Sequence, residues 1–91
     1  MIRSFRHRGL ARFFLHDDHS KIRPDLTRRI QRRLSAMHSA ENLEELNLPG
    51  FNLHTLRGKP TRHTIHVNGP WCLTFEWRDG EAYQVDLEQY H

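Results

Sequence analysis

The chain has 91 residues, 36% hydrophobic and 27% charged, with a formal net charge of +3 at pH 7. That length suits one domain over residues 1–91 with a modest core, because a chain of this size buries only about 60–65% of its unfolded surface. No run approaches the about 20 apolar residues of a membrane span. The basic start lacks the apolar stretch of a secretion signal, and the single cysteine, Cys72, excludes an internal disulfide framework and suits a reducing cytoplasm.

The charge is divided along the chain. Residues 1–40 hold nine arginines and one lysine against three aspartates, a balance of +7, whereas residues 41–91 hold four basic and eight acidic residues, a balance of −4. A basic half of this kind is either a solvated helix face or a surface for a polyanion, since cations near phosphates displace counterions.

Met1 to Phe5 alternates and predicts a short strand at the edge of a sheet. Leu10, Phe13 and Phe14 recur at helical spacing and predict a helix over 7–16. His16-Asp17-Asp18-His19 offers four donor side chains, but neighbouring residues at a helix end point in different directions, so a polar loop is expected rather than a metal site. Pro24 and Asp25 suit the first turn of a second helix. Its buried stripe is Leu26, Ile30, Leu34 and Met37, and Arg28, Arg29, Arg32 and Arg33 fall on the remaining, exposed sides. A helical turn within 40–46 ends at Pro49-Gly50, and Phe51 and Leu53 alternating with Asn52 and His54 predict a strand over 51–56. A basic loop, Arg57 to Arg62, follows it.

The clearest pattern is the C-terminal stretch from Arg62 to His91. Trp71, Leu73, Phe75 and Trp77 alternate with Cys72, Thr74 and Glu76, the period of a strand with one buried face. Asn68-Gly69 precedes this run and Asp79-Gly80 follows it, and each dipeptide tolerates two successive positive φ angles. The order is therefore β-α-α-β-β-β-β: an α+β domain with two or three N-terminal helices packed on a small, mainly antiparallel sheet.

Chemistry is sparse. Cys72 sits mid-strand away from any helix N-terminus that would activate it. His63 and His66 are three apart on a strand, on opposite faces, and make poor joint ligands. If the last strand lies near the His54 strand or its loop, His54, Arg57, Lys59, Arg62, Tyr90 and His91 meet on the open face of the sheet. Imidazoles, a phenol and cations suit RNA cleavage: one group removes the 2′-hydroxyl proton, another protonates the leaving 5′-oxygen, and cations hold the charged phosphorane.

Several stretches carry a family resemblance. They are Met-Ile-Arg-Ser-Phe at 1–5, His7-Arg8-Gly9-Leu10, Glu45-Leu46-Asn47, Leu53-His54-x-Leu56-Arg57-Gly58, Val67-Asn68-Gly69-x-Trp71-x-Leu73-Thr74-Phe75 and the final Tyr90-His91. In order and spacing the chain resembles HigB-type toxins of the RelE/ParE superfamily. The resemblance implies the RelE-like microbial ribonuclease fold and a bacterial endoribonuclease that cuts mRNA in the ribosomal A site, without metal or cofactor, leaving a 2′,3′-cyclic phosphate. It also implies a HigA-type helix-turn-helix antitoxin as partner, with operator DNA bound only through the toxin–antitoxin complex, and a cytoplasmic location.

Of the catalytic positions it implies, His54, Tyr90 and His91 match, and Arg57 stands where the family has a lysine. Cys72 replaces a phosphate-clamping arginine, Gln89 an acidic residue and His66 an arginine. Lys59, Arg62 and His66 are then the groups expected to supply the missing charge toward RNA, with Arg28, Arg29, Arg32 and Arg33 meeting ribosomal RNA or the antitoxin. Two other functions fit the same fold: a gyrase poison of the ParE type, which needs no proton-transfer pair, and a non-catalytic antitoxin- or RNA-binding module.

Overall fold

A computed structural model describes residues 1–90 of the protein; His91 lies outside the described residues. Helix α1 spans Arg8–His16 and helix α2 spans Thr27–Ser39, followed by a 3-10 turn at Leu43–Leu46. Strands β1 (His54–Leu56), β2 (Arg62–Asn68), β3 (Trp71–Arg78) and β4 (Glu81–Gln89) form one antiparallel sheet in the order β1-β2-β3-β4. This is the α+β architecture read from the sequence. Both helices cover one face of the sheet, and the other face is open.

The helical stripes explain that packing. Leu10 and Phe13 of α1 are buried, and Leu26, Ile30, Leu34 and Met37 are each at most 1% exposed. They meet Ile65, Val67, Leu73, Phe75, Ala82 and Val85 from the sheet. At such positions Leu→Ala truncation costs about 2–5 kcal/mol, enough to threaten a small domain.

Helix α2 begins three residues later than expected. Pro24 and Asp25 belong to a preceding turn closed by Leu26 N–H donating to the Arg23 carbonyl. The Asp25 carboxylate is taken by Arg23 at 2.9 Å, so it caps no amide of the helix.

Strand β1 is half the predicted length. Asn52 has φ +48°, which turns Phe51 out of the ladder. Phe51 still touches the sheet, because its carbonyl accepts from His66 N–H.

Residues 1–6 run parallel to β4. Ile2 bridges to Ala82 and Phe5 to Val85, and the amides of Arg3, Arg6 and His7 donate to carbonyls of Ala82 and Val85. The N-terminal segment thus covers the first half of the β4 edge and leaves it after Val85.

The two tight turns differ. Asp79 and Gly80 both have positive φ, as a two-residue hairpin turn requires, whereas in Asn68-Gly69 only the glycine does. The register also slips between His66 and Asn68. The Pro70 carbonyl in this turn accepts from Tyr90 N–H at 2.7 Å, tying the end of β4 to the β2–β3 turn. A bulge at Gln84, φ +52°, restores the inward direction of Val85.

The buried face of β3 is narrower than its alternation suggests. Leu73 and Phe75 are fully buried, but Trp71 and Trp77 at the strand ends extend past the helices and are half-buried. Thr74, on the opposite face, is fully buried beneath other side chains of the open face.

Candidate active site

The open face is laid out by register. His54, Thr64, Thr74 and Asp86 lie directly across from one another on β1, β2, β3 and β4. A second row holds His66, Cys72 and Glu88. Because side chains alternate, Arg62, Glu76 and Tyr83 share this face.

A hydrogen-bonded chain fills its centre. Arg62 Nη2 donates to Thr74 Oγ1 at 2.8 Å and to the Gln84 carbonyl at 2.8 Å. Thr74 Oγ1 donates to Glu88 Oε2 at 2.6 Å. Arg62 Nη1 lies 3.5 Å from Glu76 Oε2, with both side chains largely buried. Arg62 Nε and Nη1 have no hydrogen-bond acceptor among the described residues. Arg62 was expected to reach RNA; it is instead enclosed by Thr74, Glu76 and the β4 bulge.

Tyr90 stands at the end of this face. Burial raises its phenol pKa, the nearby Glu88 carboxylate raises it further, and Arg62 pulls the other way. The phenol is therefore an O–H donor at neutral pH. Burial also raises the Cys72 thiol, which keeps it protonated and unreactive. His66, expected as a cation in an arginine's place, has its Nε2 2.9 Å from the Gly69 carbonyl. A carbonyl only accepts, so that nitrogen carries the proton and is spent on the turn.

His54, Arg57 and Lys59 occupy the other side, all exposed and without ion pairs among the described residues. The condition that the last strand lie beside the His54 strand is not met. In a meander β1 and β4 are opposite edges, three strand spacings or roughly 14 Å apart. His54 and Tyr90 share a face but do not touch. The face is thus polarised, with free cations in the loop after β1 and Glu76, Asp86 and Glu88 toward β4. The fourth catalytic candidate, His91, lies outside the described residues.

On α2, Arg28, Arg29 and Arg32 are exposed as expected, but Arg33 is only 5% exposed. Its guanidinium lies 4.6 Å from the centre of the Phe51 ring, and its Nε donates to the His66 carbonyl. It fastens the helix to the sheet and presents no charge to a partner.

Thr74, Glu76 and Glu88 are the site residues that sequence reading missed. The alternation of β4 was the available signal, but the Gln84 bulge shifts its phase midway. Among the described residues no helix is long and apolar enough to cross a membrane.

The sequence is similar over its length to known proteins. The family model of the RelE-like toxin of type II toxin–antitoxin system HigB matches residues 3–91. The chain is 36% identical over 92 residues to endoribonuclease HigB of Proteus vulgaris, covering all of both chains. It is 33% identical over 89 residues to an uncharacterized protein of Haemophilus influenzae, covering 94% of this chain and 88% of the other. A type II toxin has an antitoxin as its partner, and a match over nearly the whole length means that this chain belongs to the HigB family of RelE-like toxins.

Proposed function

We propose that the protein is a ribosome-dependent endoribonuclease that cuts mRNA in the A site and arrests translation. The observation that carries this reading is the open face itself, with an O–H-donating phenol at one side and His54 with free cations at the other. Full-length similarity to a protein named as an endoribonuclease supports it. The reaction is an attack of the ribose 2′-oxygen on the adjacent phosphorus. The 2′-hydroxyl proton goes to a base, the bond from phosphorus to the 5′-oxygen breaks, and that oxygen takes a proton, leaving a 2′,3′-cyclic phosphate and a 5′-hydroxyl.

His91 and Tyr90 are assigned to proton transfer, with Tyr90 as a donor because its pKa is raised. His54, Arg57 and Lys59 grip the RNA from the β1 side, flanking the nucleotide some distance from Tyr90. No metal or cofactor takes part. The exposed Arg28, Arg29 and Arg32 face ribosomal RNA or the antitoxin. The antitoxin is of the HigA helix-turn-helix type, operator DNA is reached only through the complex, and the protein works in the cytoplasm as the single domain 1–91.

A second reading, a catalytically weakened antitoxin- or RNA-binding module, is favoured by one observation. Glu76, Asp86 and Glu88 crowd the face where a phosphate would sit, and Cys72 supplies no charge there. Mapping mRNA 5′ ends on ribosomes after expression without antitoxin separates these readings. In-frame A-site cuts are expected. DNA breaks point instead to gyrase poisoning, and the absence of both leaves the binding module. His91→Ala should abolish growth arrest and spare antitoxin binding; a fully toxic variant removes His91 from the mechanism.

A further inference from the structure

The His7-Arg8-Gly9-Leu10 stretch takes no part in the open-face chemistry. Its first three residues line a separate cleft of about 730 Å³ at the start of α1, while Leu10 points into the core. Arg6, Arg8 and Arg12 from one side and Lys21 from the other surround it, with Asp86 as its one carboxylate. All four cations are exposed. Arg12 is paired with Asp18 at 3.0 Å; Arg6, Arg8 and Lys21 have no ion pair among the described residues.

The cleft is a product of close packing. Gly9 is buried, and a Cβ there would stand 2.8 Å from His7 Cε1 and 2.8 Å from Lys21 Cβ. Only glycine lets the segment carrying Lys21 close against α1. Arg6, Arg8 and Lys21 outnumber Asp86 around the cleft, so it carries a net positive charge and suits an anion supplied from outside.

Its position says which anion. The N-terminal segment leaves β4 at Val85, where Arg6 and His7 donate to the Val85 carbonyl. The next residue, Asp86, ends the row His54–Thr64–Thr74–Asp86 on the open face. A strand lying along that row and passing over β4 runs directly into the cleft. We propose that the cleft between α1 and Lys21 holds phosphodiesters of the RNA strand that occupies the open face. It is a second grip outside the site of cleavage, contributed by Arg6, Arg8 and Lys21. This extends the reading of the open face as an RNA site, although the cleft is testable without cleavage.

The test measures binding of a 2′-O-methyl RNA oligonucleotide of about 10 residues, which cannot be cleaved, across a salt series. The full chain is compared with Arg6→Gln/Arg8→Gln and with Arg57→Gln/Lys59→Gln. Losing two phosphate contacts lowers the salt slope by about 1.4 and weakens binding roughly 20-fold at about 0.1 M salt. Both pairs should do so, and an unchanged thermal midpoint shows that the fold is intact; Lys21→Gln, on the opposite wall, provides a second variant with about half the slope change. A cleft pair with the parent slope overturns the proposal. A loss confined to the cleft pair keeps the cleft and overturns the open-face reading. Displacement of the RNA by polyglutamate or by a mononucleotide at matched charge overturns the assignment to an RNA strand.

Discussion

Arg62 and Thr74 are joined by a 2.8 Å hydrogen bond that passes on to Glu88, so a neutral hydroxyl links the cation at the centre of the open face to a carboxylate. Thr74 is fully buried there. The polar chain fixes Arg62 in place and leaves it little freedom to follow a phosphate.

Thr74→Val keeps the shape of the side chain and removes both bonds. Glu88 then loses a donor and Arg62 Nη2 keeps only the Gln84 carbonyl. A loss of about 1–3 kcal/mol in urea unfolding is expected, the cost of unsatisfied buried polar groups. A variant as stable as the parent would mean that water replaces the hydroxyl and that the chain of bonds is not structural.

Cys72→Arg should restore a phosphate contact. The new guanidinium stands across from Glu88, which will neutralise part of it. We expect ribosome-dependent cleavage to rise on the order of 10-fold, and toward about 100-fold when Glu88→Gln is added, since one preorganised charge contact is worth about that much. Glutamine still accepts from Thr74. An unchanged rate in the double variant would show that Cys72 marks no missing contact.

These contrasts explain what the sequence revealed. Apolar periodicity located both helices and the three long strands, because burial acts on side chains at fixed spacing. The start of β1 and the middle of β4 were harder to read: Asn52 and Gln84 adopt positive φ, which the apolar alternation does not encode. Within the site, charge was legible but pairing was not. Arg62 and Arg33 look like free cations in one dimension; Glu76 lies fourteen residues from Arg62 and Phe51 eighteen from Arg33, and only the fold brings them together.

Tyr90→Phe isolates the phenol. The Tyr90 amide bond to Pro70 is unaffected and the side chain is 41% exposed, so the thermal midpoint should move little. Cleavage should fall about 100-fold if the hydroxyl donates a proton. Because the phenol pKa is raised, parent activity should persist as pH rises through 8 to about 9 instead of requiring phenolate. Activity that appears only above that range would assign Tyr90 the role of base.

His63 predicts how stability depends on pH. Its ring is buried against Phe75, its Nδ1 lies 2.9 Å from Thr55 Oγ1, and burial lowers its pKa below 6.5. The unfolded chain therefore binds a proton at this ring before the folded one does. Its contribution is fully present above pH 6.5 and is lost as pH falls from 6.5 toward the lower folded value. Urea midpoints should drop between about pH 7.5 and pH 5, and His63→Gln should flatten part of that fall. Identical slopes in parent and variant would assign the pH dependence to other histidines.

Arg33 separates structure from recognition on α2. Its Nε donates to the His66 carbonyl and its guanidinium covers Phe51, so Arg33→Met preserves the packing over the ring but leaves that carbonyl without its donor. Unfolding free energy should fall by about 1–3 kcal/mol, with no change in the salt dependence of ribosome binding by the folded fraction. Arg29→Gln and Arg32→Gln, at exposed positions one turn and one residue away, should do the reverse. Each should leave stability within about 0.5 kcal/mol of the parent and lower the salt slope by about 0.7–0.9 if it meets a phosphate. If instead both exposed variants bind ribosomes like the parent but lose the antitoxin, α2 is the antitoxin's surface, and ribosome recognition rests on the cations of the open face and the α1 cleft.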